Sequence, residues 1–81
     1  MKDNEPEVAL FAGYSGLDII QRLIDETPAF LKKEGKLMLE IGHNQSQQVQ
    51  DLISSNPAYK SYSIIPDLSG IDRFILATAR N

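Results

Sequence analysis

The chain has 81 residues, a formal net charge of −3, 42% hydrophobic and 23% charged residues, and no cysteine. That describes at most one small domain, too apolar for disorder; with no Lys/Arg stripe it is a poor autonomous binder of nucleic acid. Without cysteine there can be no disulfide, thiolate metal site or cysteine nucleophile, so stability must come from packing, a partner or further chain.

The first ten residues, MKDNEPEVAL, are charged and lack the apolar segment of a signal peptide. Apolar runs elsewhere are only a few residues long, too short to span a bilayer. A cytoplasmic protein without a membrane partner is expected. Residues 1–14 are read as a loop entering the first helix. From Leu17 to Lys33 apolar residues recur at Leu17, Ile20, Leu23, Ile24, Phe30 and Leu31, the spacing of a helix with one buried face. Ser15-Gly16 suits its start and Gly35 its stop, with Lys32 and Lys33 near the last carbonyls. Pro28 interrupts this pattern: a kinked helix and two short ones fit equally well.

Lys36 to Ile41 reads as a strand apolar on both faces, as in a central parallel sheet covered by helices. Gly42 breaks it. Asn44 and Gln47 have the spacing of a helix cap with its reciprocal partner, and Val49, Leu52 and Ile53 give the following helix a narrow apolar stripe. Asn56-Pro57 stops that helix. Tyr62 to Ile65, ended by Pro66, is the next strand, and Arg73 to Ala79 the last. DLSGID between them has the length and turn residues of an antiparallel connection. The order is helix, strand, helix, strand, strand. A lone three-stranded sheet of this kind leaves one face and one edge uncovered, so it reads as part of a larger one.

Taken in order, NEPEVAL-x-x-G-x-x-GLD, L-x-LEIG-x-x-Q and D-L-x-G-x-DR resemble the C-terminal half of the HemK-type methyltransferases. Those enzymes use S-adenosylmethionine to methylate the side-chain amide of a glutamine in peptide chain release factors. The resemblance runs from Asn4 to Ala79. It implies the C-terminal portion of a Rossmann-like class I methyltransferase sheet of the α/β class, with its last strand antiparallel, so that residues 1–81 are a single partial domain. The family holds its cofactor on a glycine-rich loop after the first strand and its substrate glutamine on an Asn-Pro-Pro-Tyr motif after the fourth. Neither has a match here. Asn56-Pro57-Ala58-Tyr59 follows the wrong helix for the substrate motif and reads as a helix stop.

No catalytic, cofactor-binding or metal residue is therefore assigned, and no cofactor is expected to bind the isolated segment. Its partner in the intact enzyme is a release factor. Either the preceding half of the enzyme or self-association would be needed to cover the sheet edge. The alternative is a free-standing non-catalytic α/β module that dimerises through that edge. Glu5 and Pro6 lie where the family chain returns from the substrate loop, which implies a part in the glutamine pocket; Lys2 stands where relatives have arginine.

Glu40, inside an apolar strand, is costly to bury unless paired. Arg73 in the adjoining strand is one candidate partner, and Gln45 or a backbone amide at the next helix start is another. A structural polar network is expected there, so that Glu40→Ala mainly lowers stability. His43, the sole histidine, sits outside a strand's carboxyl end, where open α/β sheets place ligands, and reads as a surface-loop residue. Asp67, Asp72 and Arg73 frame the last hairpin and pin its register.

Overall fold

A computed structural model of the chain describes residues 7–11, 16–42 and 44–80. Its elements are β1 (Val8–Phe11), α1 (Leu17–Glu26), a 3₁₀ turn (Thr27–Phe30), β2 (Lys36–Glu40), α2 (Ser46–Ser54), β3 (Tyr59–Pro66) and β4 (Asp72–Ala79). They build one four-stranded sheet in the order β1-β2-β4-β3. β1 runs parallel to β2, and β4 is antiparallel to both of its neighbours. The expected antiparallel last strand is thus present, set between β2 and β3.

β1 corrects the sequence reading, which placed residues 1–14 in a loop and began the element order with a helix. Four apolar residues give no alternation to mark a strand. They extend because β2 offers them a ladder: Val8 to Phe11 pair in register with Lys36 to Leu39. The Lys36 N–H also donates to the Glu7 carbonyl at 2.7 Å. Tertiary pairing supplies what local pattern lacks.

The span from Leu17 to Lys33 resolves into two short pieces, α1 and the 3₁₀ turn, with Pro28 near the start of the second. Lys32 and Lys33 lie beyond both pieces. Proline has no N–H to give the carbonyl four residues back, that of Ile24. The Tyr59 hydroxyl makes good the loss, donating to the Ile24 carbonyl at 2.6 Å. Burial, then the charge of Asp25, pushes the Tyr59 hydroxyl well above its ordinary pKa. After the turn, Glu34 takes the left-handed conformation at φ 60°. At Gly35 a Cβ would meet the Lys32 carbonyl at 2.9 Å, the Leu31 Cβ at 3.0 Å and the Glu7 carbonyl at 3.2 Å. Only glycine lets the chain pass this close to β1.

Ile20 and Ile24 of α1 and Val49 and Ile53 of α2 form one core with Leu37, Leu39, Ile75 and Ala77. Directly paired residues share a sheet face, and these strand residues pair with one another: Leu37 with Ala77, Leu39 with Ile75. Both helices therefore cover the same face. The opposite face carries Val8 and Leu10 of β1, Met38 of β2 and Phe74 and Leu76 of β4. None of those five is fully buried, and among the described residues no element covers them.

Candidate functional site at the carboxyl end of β2

The carboxyl end of β2 is held from both sides. Beyond Glu40, the Ile41 N–H donates to the Arg73 carbonyl at 2.9 Å, extending the β2–β4 ladder. The Gly42 N–H then donates to Gln45 Oε1 at 2.8 Å, and the Gln45 N–H returns to the Gly42 carbonyl at 3.0 Å. These reciprocal bonds close a tight turn into α2, whose N-cap residue is Gln45 and not the expected Asn44; the Gln45 side chain turns back to Gly42 and does not cap the helix. Gln47, expected to complete a capping box, instead bonds Asp51 one turn along at 3.0 Å.

A polar chain crosses from α2 to the hairpin. The Ser46 hydroxyl donates to Asp72 Oδ2 at 2.7 Å, Gln50 Nε2 donates to Ser46 Oγ at 2.9 Å, and the Tyr62 hydroxyl donates to Gln50 Oε1 at 3.1 Å. Ser46 and Gln50 lie on α2, Tyr62 on β3 and Asp72 on β4, so their meeting is a product of topology. Asp72 alone drew notice in the sequence. At the hairpin tip the Asp67 carboxylate accepts from the N–H groups of Ser69 at 2.8 Å and Ile71 at 3.1 Å, while Gly70 takes φ 82°. Asp67 thus holds the hairpin turn, while Asp72 ties the start of β4 to α2 through Ser46.

Arg73 and Glu40 meet as expected, with Arg73 Nε 3.4 Å from Glu40 Oε2. The Glu40 side chain retains 17% of its exposure and that of Arg73 43%, so the pair is shielded but not buried. Its place explains this: Glu40 pairs with Phe74 on the uncovered face. Gln45 turns its amide oxygen to Gly42. Glu5, Pro6, Lys2 and His43 lie outside the described residues.

The chemistry open to this arrangement is positioning. The Gly42 amide is bonded within the turn, and the Ser46 hydroxyl is engaged by the Asp72 carboxylate of β4. No group of three or more His, Cys, Asp or Glu among the described residues is arranged to hold a metal. Two shallow cavities lie elsewhere. One, of about 360 Å³, is lined by Ile53, Tyr59, Lys60, Tyr62 and Arg80 among others. The other, of about 290 Å³, is lined by Glu7, Gly35 and Lys36 with Lys32 and Lys33, at the opposite end of β2. Open α/β sheets take ligands at the carboxyl ends of their parallel strands, which neither cavity approaches. No described helix is long and apolar enough to cross a membrane.

No family model matches the chain. It is 44% identical over 73 residues to the release factor glutamine methyltransferase of Enterococcus faecalis, covering 90% of this chain and 26% of the relative. It is 40% identical over 77 residues to that of Moorella thermoacetica, covering 95% and 27%. The crystal structure of a release factor-specific protein-(glutamine-N5) methyltransferase from Alicyclobacillus acidocaldarius matches at 30% identity with a TM-score of 0.65, over 82% of this chain and 42% of that one. The chain thus spans about a quarter of the length of the curated relatives it matches. The antiparallel last strand and these matches agree: the 81 residues are similar to the C-terminal part of release factor glutamine methyltransferases.

Proposed function

We propose that this chain serves as the C-terminal part of an enzyme that methylates the side-chain amide of a release-factor glutamine, and that it contributes support rather than reacting groups. The observation that carries this reading is the match to release factor glutamine methyltransferases over nearly the whole chain. The geometry agrees with it, because the polar groups beyond β2 are bonded to one another. S-adenosylmethionine, when bound to the intact enzyme, supplies an electrophilic methyl group. The described residues do not fit a cradle for it: the turn at the carboxyl end of β2 has its glycine amide engaged by Gln45. No step is therefore routed through this segment.

Its part in the reaction is to hold elements still, since methyl transfer depends on aligned approach and a misplacement of about 1 Å can cost ~100-fold in rate. Glu40, Arg73 and Gln45 fix the β2 end and the start of α2. Glu5 and Pro6 form part of the wall around the substrate glutamine, by their place in the family motif. The isolated chain is inactive.

The test replaces the matched segment of the Enterococcus faecalis relative with this chain. The purified chimera is assayed for methyl transfer from labelled S-adenosylmethionine to a release factor. Transfer is expected; a folded chimera without it overturns the proposal. Calorimetry of the 81-residue chain with S-adenosylmethionine is expected to show no binding, and micromolar affinity would overturn its supporting role.

A further inference from the structure

The hairpin joining β3 to β4 stands at the end of the sheet where β2 gives out. Phe74 pairs with Glu40 on one side and Ile65 on the other, and Asp72 pairs with Pro66. With the Ile41 N–H bonded to the Arg73 carbonyl, residues 67–71 project past the carboxyl end of β2 and lie over neither face of the sheet. Their two large apolar side chains are open to water. Leu68 is 108% exposed and Ile71 49%, so no described residue shields Leu68.

A lone exposed leucine is ordinary on a protein surface; this one is held out by a braced turn. The Asp67 N–H donates to the Ile71 carbonyl at 2.8 Å and the Gly70 N–H to the Asp67 carbonyl at 3.0 Å. The Asp67 carboxylate takes the N–H groups of Ser69 and Ile71, and the positive φ of Gly70 lets the chain reverse. Below the turn, Ser46 ties Asp72 to α2 and Glu40 ties Arg73 to β2. The backbone and carboxylate of the turn are thus engaged within it. What it presents outward is apolar, and it is anchored to the two elements that frame the carboxyl end of β2.

We propose that the tip of the β3–β4 hairpin is a docking point for the protein substrate, with Leu68 and Ile71 seated on an apolar surface of the release factor beside the glutamine that is methylated. The occupant is argued from place and chemistry. In open α/β sheets helices take the faces, and the carboxyl ends of the strands are left to ligands. The tip belongs to such an end: β4 is the direct neighbour of β2, about 5 Å away at ordinary strand spacing. A small polar ligand is gripped by convergent polar groups, and the carboxylate of this tip is already held by its own backbone. An apolar projection suits a macromolecule, which brings surface beyond its reacting residue and buries apolar area at the centre of its contact. Binding remote from the reacting atoms then helps to hold the glutamine in place. The inference deepens the function proposed above and rests on it.

Leu68→Ser in the Enterococcus chimera removes the apolar projection and leaves the backbone bonds of Asp67 in place. Release-factor binding is followed by fluorescence anisotropy, and methyl transfer by kcat and KM. Losing one buried leucine contact is expected to weaken binding and raise KM by on the order of 10-fold. The kcat at saturation and the melting temperature are expected to hold, and Leu68→Met to stay close to the parent. Unchanged affinity in a chimera that binds release factor overturns the docking point and leaves the proposed function standing. A chimera whose binding depends on Leu68 but that transfers no methyl group sinks the function and not the docking point. A folded chimera that binds no release factor defeats both. A melting temperature lowered by Leu68→Ser in the chimera, but not in the 81-residue chain, assigns the tip to contacts within the enzyme and overturns the inference.

Discussion

The two faces of the sheet are built from the same strands, yet one is finished and the other is not. On the helix-covered face, Leu37, Ile75 and Ala77 are completely buried beneath Ile20, Ile24, Val49 and Ile53. On the other, the neighbouring residues Leu10, Met38 and Leu76 keep contact with water. Alternation along β2 shows the contrast within five residues: Leu37 and Leu39 face the core, while Lys36, Met38 and Glu40 face outward. Composition does not separate the faces, since both are largely apolar; cover does. Energetics should follow cover, and substitutions can break or sharpen that contrast.

The largest expected effect is on the covered face. Leu37→Ala removes fully buried methyl groups and leaves a cavity among the helices, at a cost of about 2–5 kcal/mol. Leu76→Ala, one strand away and partly exposed, should cost less than Leu37→Ala, because it loses less burial and leaves no cavity beneath the helices. Urea unfolding of the two variants compares them directly. Equal losses would mean that the outer face is packed in solution, and the contrast would fail.

Tyr59→Phe comes next. It removes the only described donor to the Ile24 carbonyl, a group that Pro28 cannot serve, and leaving a buried acceptor unpaired costs ~1–3 kcal/mol. The same residue gives the covered face a pH signature. The folded chain raises the Tyr59 pKa above its ordinary 10.0, so the protonated phenol is favoured by folding. Its contribution is complete below pH 10 and declines as the pH rises above it, where the unfolded chain ionises first. Thermal melts of the wild-type chain should therefore weaken above pH 10, and the Tyr59→Phe variant should lack that part of the decline.

What the sequence made legible follows the same division. Helical spacing located α1 and α2 because their apolar stripes are what the covered face needs, and Gly-, Asn- and Pro-containing turns set the limits of β2, α2 and the final hairpin. The pairing of Glu40 with Arg73 was also legible, through the cost of an uncompensated carboxylate in an apolar strand. β1 was not: Val8–Phe11 has no period, and becomes a strand only because β2 lies beside it. Tyr59 was read as the end of a helix stop, since nothing local says that its hydroxyl meets a carbonyl 35 residues away. The Ser46–Asp72 bond was hidden for the same reason, and the cap at Gln45 because an asparagine nearby had the commoner capping chemistry.

Glu40 provides a smaller test on the uncovered face. With both partners partly exposed, the ion pair is worth at most about 1 kcal/mol, so Glu40→Ala should lower the stability of the 81-residue chain only modestly. A double-mutant cycle with Arg73→Ala separates the pair from the other contacts of each residue. In the chimera the coupling should grow if the rest of the enzyme excludes water from this face. A coupling identical in both contexts would argue that Glu40 stays at the solvent boundary in the intact enzyme.

The smallest effect belongs to a pair on no face at all. Lys60 Nζ lies 2.9 Å from Glu34 Oε2 at the β3 edge, with both side chains open to solvent. Its hydrogen bond to Lys60, and then the charge of Lys60, lower the Glu34 pKa from 4.5. A lowered carboxylate stabilises the fold above its unfolded pKa and ceases to do so as the pH falls through the folded value. The contribution is therefore present at neutral pH and disappears below pH 4.5. Because the pair is exposed, salt should screen it as well. Lys60→Met is expected to leave the melting temperature nearly unchanged at neutral pH in high salt, with a slight loss in low salt that vanishes in acid. A loss that persisted in high salt would show that Lys60 holds the β3 edge by packing its stem against Glu34 and the adjoining chain, and not by charge.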